Sequence, residues 1–196
     1  FVGRSRAIWQ HFFPALRQRF PEALAGVDVD RWVAAVNRVK RSLIRVEADE
    51  VTYNLHILVR FELELAIVRG RLEAAELPEA WNDAYARIVG IRPPSDDDGV
   101  LQDIHWAWGE FGYFPTYAIG NMYAATLMAA AERALPTLWD DVAAGRLHPL
   151  RDWLRVNVHA HGRALDAEEI VRRASGKGLD AGDLLVHLRR KFGGDA

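Results

Sequence analysis

The sequence predicts an all-α fold. Three observations carry that expectation: apolar residues recur at helical spacing along most of the chain, alternating runs long enough for strands are almost absent, and Gly and Pro fall where helices would stop and start. With 196 residues, 50% hydrophobic and 27% charged, the chain can bury a real core and fits one or two ordinary domains.

The elements follow in order. Phe1 to Phe20 is aromatic-rich and reads as helical, with Pro14 expected to kink or break it. Asp30 can cap a helix to about Lys40, with Trp32, Val33, Val36 and Val39 on one stripe. Leu43 to Glu47 is the one place where a short β piece is expected. Beyond it, Asp49 is the predicted N-cap of a long helix whose stripe runs Leu55, Leu58, Val59, Glu62, Leu65 and Ala66, with Gly70 as its stop. Pro78 opens the next helix, and residues 90–99, "GIRPPSDDDG", form a loop because paired Pro and three adjacent Asp cannot continue one. "TYAIGNMYAATLMAAAERAL" is a helix of small residues ended by Pro136. Shorter helices are expected over Thr137 to Ala144, Pro149 to His161, Asp166 to Ala174 and Ala181 to Phe192, with no internal repeat.

Composition excludes several classes of function. Twenty-five Lys and Arg against 27 Asp and Glu give a net charge of −2, so the chain lacks the basic footprint that nucleic acid requires. The absence of Cys removes disulfides, thiol nucleophiles and Cys-based zinc sites, and suits a reducing compartment, so a cytoplasmic location is expected. No apolar run has the length of a membrane span or a signal peptide. The helical pair His-Glu-x-x-His is absent from the seven His, and His159 and His161 would diverge by about 200° on a helix, so no metal ligands are expected in this chain.

Two segments carry candidate chemistry. Around Arg45, the carboxylates of Glu47, Asp49 and Glu50 cluster at a helix mouth. Charges there brace and cap a helix, while a planar Arg fork also suits a substrate carboxylate. The second segment, "GVLQDIHWAWGEFGYFPTY" at 99–117, has aromatic bulk and flexible glycines without a regular period. Asp103 and His105 can form a carboxylate–imidazole pair, and Tyr113 or Tyr117 can offer a phenol to a developing oxyanion. The same Trp, Phe and Tyr side chains also suit a hydrophobic plug with satisfied polar tips, so chemistry and plug stand side by side.

Both segments match a family pattern. Ile44-Arg45-Val46-Glu47-Ala48-Asp49 fits I-R-x-x-A-D, and Gly99 to Trp106 fits G-x-x-Q-D-x-H-W. Through these motifs the chain resembles the carboxypeptidase Taq family of zinc metallocarboxypeptidases, and the likeness extends to "FVGRSRAIW", "FGYFPTYAIGNMYAA" and "PLRDWLRVNVHAHGR". The resemblance implies a multi-helix, gluzincin-like metalloprotease fold that removes amino acids one at a time from peptide C-termini, with zinc or cobalt as cofactor and a homodimer as the assembly. Residues 1–196 would be the C-terminal part of such a catalytic domain, cut shortly after the metal ligands, which also accounts for the missing initiator Met and the abrupt helical start. By the same resemblance, His105 and one of Tyr113 or Tyr117 would face the tetrahedral intermediate, Arg45 and Gln102 would hold the substrate carboxylate or backbone, and Asp103 and Asp49 would support them. Such a fragment is expected to be inactive alone. A rival expectation is a helical interaction module without chemistry, its aromatic cluster serving as a docking surface.

Overall fold

The computed structural model describes residues 1–193; the last three residues of the expected span 1–196 lie outside the described residues. Among the described residues there are nine α-helices and no strand. The chain gathers into two compact units, one of Phe1–Asn37 together with the residues from Asn121 onward, the other of Arg38–Gly120.

In the first unit α1 (Arg6–Arg19) begins under a cap from Ser5 and runs through Pro14 without a break, contrary to the expected interruption. A proline disturbs only its own turn. Here Ile8 and Phe13 are buried before it and α1 packs on α2 (Val29–Val36) and α6 (Leu138–Ala143), so tertiary contacts hold the helix across the defect. The cap of α2 is Asp28, whose Oδ1 accepts from Arg31 N at 2.8 Å. Asp30, the expected cap, instead sits in the first turn and pairs with Arg6. The helix ends at Val36 because the Asn37 side chain turns back onto Val33 O and also reaches Arg4 O.

Helix α5 (Pro115–Ala134) contributes its first turns to the second unit and the rest to the first. Its small residues Ala130 and Ala131 are buried, and Ala131 joins Ile8, Leu138, Val142 and Leu150 in the first unit's core. The remaining helices of this unit are α7 (His148–Asn157), α8 (Ala167–Ser175) and α9 (Gly182–Phe192). The expected helix through His161 stops at Asn157, and His159–His161 form a separate 3-10 turn.

The second unit is built on α3 (Tyr53–Val68) and α4 (Leu77–Ile88), which pack together around Val59, Leu63, Trp81, Ala84, Tyr85 and Val89. Gly70, with φ of +62°, terminates α3 as expected, its N–H on Ile67 O and the next N–H on Ala66 O. The buried face of α3 differs from the expected stripe: His56, Ile57, Val59, Arg60, Leu63 and Glu64 point inward, while Leu58 is 47% exposed. Leu43 to Glu47 forms no strand. Ile44 is extended, a 3-10 turn covers Arg45–Glu47, and side chains rather than a neighbouring strand take up the backbone polar groups of this stretch.

Candidate functional site

Buried backbone groups without a ladder need other partners. Leu43 O accepts from Tyr85 OH at 2.5 Å and from Gln102 Nε2 at 3.1 Å, and Arg45 N donates to Gln102 Oε1 at 2.9 Å. Gln102 Nε2 also reaches Asp98 O and Gly99 O. The whole amide of Gln102 is therefore engaged by backbone, and it fastens the two motif segments although they lie 57 residues apart in sequence.

That fastening sets Arg45 against Asp103. Arg45 Nε and Nη2 donate to Asp103 Oδ1 at 3.1 and 2.7 Å, and Arg45 Nη1 donates to Tyr53 OH at 3.1 Å. The other carboxylate oxygen goes to Arg60 of α3, with Nε at 2.6 Å and Nη2 at 2.5 Å, while Arg60 Nη1 donates to His56 O. Aromatic faces enclose both cations: Arg60 lies over Trp81 and Phe114, Arg45 over Tyr117 and Phe114. Burial pushes the Asp103 carboxyl up, but the two guanidiniums outweigh it and hold the group below its usual range.

Asp49 does not touch this cluster through its carboxylate. It accepts from Lys40 N, Val51 N, Thr52 N and Thr52 Oγ1, fixing the turn before α3 rather than capping the first helical residue itself. Burial raises the Asp49 carboxyl and these donors more than offset that, leaving it lowered.

His105 is held by aromatic rings, with Phe114 at 4.5 Å and Tyr113 at 5.7 Å between centroids, and its Nε2 is 3.0 Å from Tyr117 OH. The expected Asp103–His105 pair is not hydrogen-bonded, since Nδ1 stands 4.0 Å from an oxygen already engaged by Arg45. Tyr117 keeps its phenolic proton at neutral pH: burial raises its pKa, only partly countered by Arg45. Tyr113 is 46% exposed and meets Tyr117 edge-on. Arg45, Gln102, His105, Tyr113 and Tyr117 thus lie together about Asp103.

Three residues of the neighbourhood carry no motif signal. His56, Arg60 and Glu64 are one turn apart on the buried face of α3, and that i, i+4, i+8 row of polar residues inside an apolar helix is the signal that could have found them. Because Tyr85 OH donates to Leu43 O, His56 Nδ1 at 2.7 Å is the donor to the phenol oxygen and Nε2 carries the lone pair. Burial, then the cations Arg60 and Arg45, push the His56 imidazole down to about 4, so it is neutral. Glu64 Oε1 accepts from Trp106 Nε1 and Gly112 N, both at 2.9 Å. Gly112 has φ of +82°, a conformation that lets the chain turn directly into Tyr113 and Phe114.

A model of the family described as "Carboxypeptidase Taq (M32) metallopeptidase" matches residues 1–192. The chain belongs to the M32 family. It is 48% identical over 191 residues to thermostable carboxypeptidase 1 of Thermus thermophilus, covering 97% of this chain and 37% of that protein. Carboxypeptidase 1 of Bacillus subtilis is 40% identical, with 98% of this chain and 38% of the relative covered. The M32 carboxypeptidase structure from Deinococcus radiodurans superimposes with a TM-score of 0.95 at 49% identity, covering 98% of this chain and 39% of that one. The chain thus spans somewhat more than a third of the length of these M32 relatives.

The metal implied by the M32 family does not fit the described residues, among which no group of three or more His or carboxylate side chains gathers to hold an ion. No helix among them is long and apolar enough to cross a membrane. A groove of about 640 Å3 in the first unit is lined by Val33, Trp139, His187 and Phe192 among others, and none of the candidate residues reaches it.

Proposed function

We propose that this chain is the part of a zinc-dependent metallocarboxypeptidase lying C-terminal to the metal ligands, where it supplies residues that hold a peptide's C-terminal carboxylate and steady the hydrolytic transition state. The observation that carries the reading is the gathering of Arg45, His105, Tyr113 and Tyr117 about one doubly paired carboxylate. Arg45 has five N–H donors, of which Asp103 and Tyr53 engage three. Two more suit a substrate carboxylate in the planar geometry that Arg favours. Gln102 serves by locking the Arg45 backbone, and Asp49 by locking the turn that follows. His105 and the protonated Tyr117 are donors of the type that an oxyanion needs, with Tyr113 beside them at the exposed edge. In this reading the ligands of zinc, or of cobalt in its place, belong to the rest of the enzyme, which acts on peptides as a cytoplasmic homodimer.

A carboxylate clamp holds ground state and transition state alike, so its loss appears chiefly in KM. In the full-length enzyme Arg45→Ala should raise KM for an N-acylated dipeptide by about tenfold or more while kcat changes little. Unchanged KM in a folded Arg45→Ala enzyme would return Arg45 to a bracing role and favour the interaction-module reading.

A further inference from the structure

Asp103 is shared. One oxygen faces Arg45 and the other faces Arg60, so two guanidinium charges meet a single carboxylate. Arginine does not shed its proton in proteins, so the balance cannot be restored by titration. Among the described residues, the ion pairs of both guanidiniums go to Asp103 alone. His56 is neutral; the carboxylates of Asp49 and Glu64 turn their charge elsewhere, Asp49 to backbone amides and a hydroxyl, and Glu64 Oε1 to an indole and an amide while its Oε2 is buried without a hydrogen-bond partner among the described residues. Arg60 is completely buried between Trp81 and Phe114: Nε donates to Asp103 and Nη1 to His56 O, while Nη2 lies against Asp103 as an ion pair without a hydrogen bond, and the side chain has no exposed surface for a ligand. Arg45 is itself buried, at 7% exposure against 0% for Arg60, and donates with three of its five N–H groups to Asp103 and Tyr53, which leaves two.

We propose that Arg60 is a positioning residue for substrate: by engaging one oxygen of Asp103 it leaves the Arg45–Asp103–Arg60 trio with one net positive charge, which a peptide's terminal carboxylate at Arg45 then neutralises. The inference rests on the reading of Arg45 as the carboxylate clamp. Without Arg60, Asp103 and Arg45 would form a closed, neutral pair and the incoming anion would compete with a resident one. With Arg60, the ligand completes an alternating row of cation, anion, cation and anion. Asp103 and two aromatic faces stabilise the buried Arg60 cation, and among the described residues no second carboxylate pairs with it, so burial outweighs them and lowers its pKa.

The test uses the full-length enzyme and hydrolysis of N-acetyl-dialanine, with folding checked by thermal melting. Arg60→Gln removes the charge and should raise KM by about tenfold with kcat within about threefold; Arg60→Lys keeps the charge and should hold KM within about threefold of wild type. A purely structural Arg60 would make both variants alike, so equal KM shifts in the two overturn the proposal, as does an unchanged KM in Arg60→Gln. Should Arg60→Gln fail to fold, Arg60→Lys decides alone: a tenfold rise in KM there overturns the proposal. Arg45→Ala is run in parallel. If it leaves KM unchanged, the clamp reading itself fails; if it raises KM while Arg60→Gln does not, only the role of Arg60 is lost.

Discussion

A phenol that donates to developing negative charge contributes only as the reaction proceeds, and its removal therefore appears in kcat. Tyr117 is protonated at neutral pH, sits 3.0 Å from His105 and stacks on the Arg45 cation, whereas Tyr113 reaches the surface. Tyr117→Phe in the full-length enzyme should lower kcat by the equivalent of about 2.7–4 kcal/mol if it is the oxyanion donor, with the melting temperature nearly unchanged. Tyr113→Phe should show that loss instead if the donor is Tyr113, and wild-type kcat in both variants would sink the role. At this scale the two motifs made the candidates legible, because residue types that suit the chemistry were written side by side. Their partners were less so. Asp103 reads in sequence as a companion of His105 two residues on, yet its oxygens go to Arg45 and Arg60, 58 and 43 residues back. Coulomb attraction from a second buried cation decides that choice, and its presence is invisible to local spacing.

Helix α3 concentrates the same lesson in one element. Its C-terminal end was readable, since Gly70 carries a stop signal that depends only on local backbone chemistry, whereas its start was not, Thr52 standing at the N-cap in place of the expected Asp49. Its inward face was not, because the helix is apolar nearly all round and an apolar stripe then loses its discriminating power. The face is chosen by polar demand: His56, Arg60 and Glu64 must meet Tyr85, Asp103 and the amide of Gly112, and Leu58 is left in solvent as a consequence. One member of that row reports on the fold by titration. The folded pKa of His56 is about 4, depressed from 6.5, so the unfolded chain binds a proton that the folded chain refuses. Its contribution is fully present above pH 6.5 and is lost as pH falls toward 4, amounting to roughly 3 kcal/mol across that window. Urea unfolding of the chain at pH 7 and pH 4.5 should show this loss, and His56→Gln, which keeps a donor for Tyr85, should show it much reduced. Equal pH dependence in the two proteins would mean that His56 is not the titrating group.

At the scale of the whole chain, the proposed site is divided between this sequence and the rest of an M32 enzyme and needs both parts. The two motifs, the helical class and the family were legible in the sequence because they rest on dense local patterns. The assembly into two compact units was not, since nothing in the linker composition between Asn37 and Arg38 or between Gly120 and Asn121 marks a boundary, and α5 is continuous through the second of these. Chemistry follows the same division. On the proposed reading the chain holds donors and a cation for substrate, but it has no His-Glu-x-x-His helix and, among the described residues, no trio of ligating side chains. An oxyanion donor lowers the barrier for a nucleophile that something else must generate. The 196-residue chain alone should therefore bind less than one equivalent of zinc at neutral pH and release no amino acid from N-acylated dipeptides, while the full-length enzyme does both. Equilibrium dialysis against zinc followed by metal analysis, with an amino-acid release assay in the presence and absence of chelator, checks the expectation. Stoichiometric zinc together with chelator-sensitive release from the short chain would show that the ligands lie within it and that the division of the site proposed for this M32 protein is wrong.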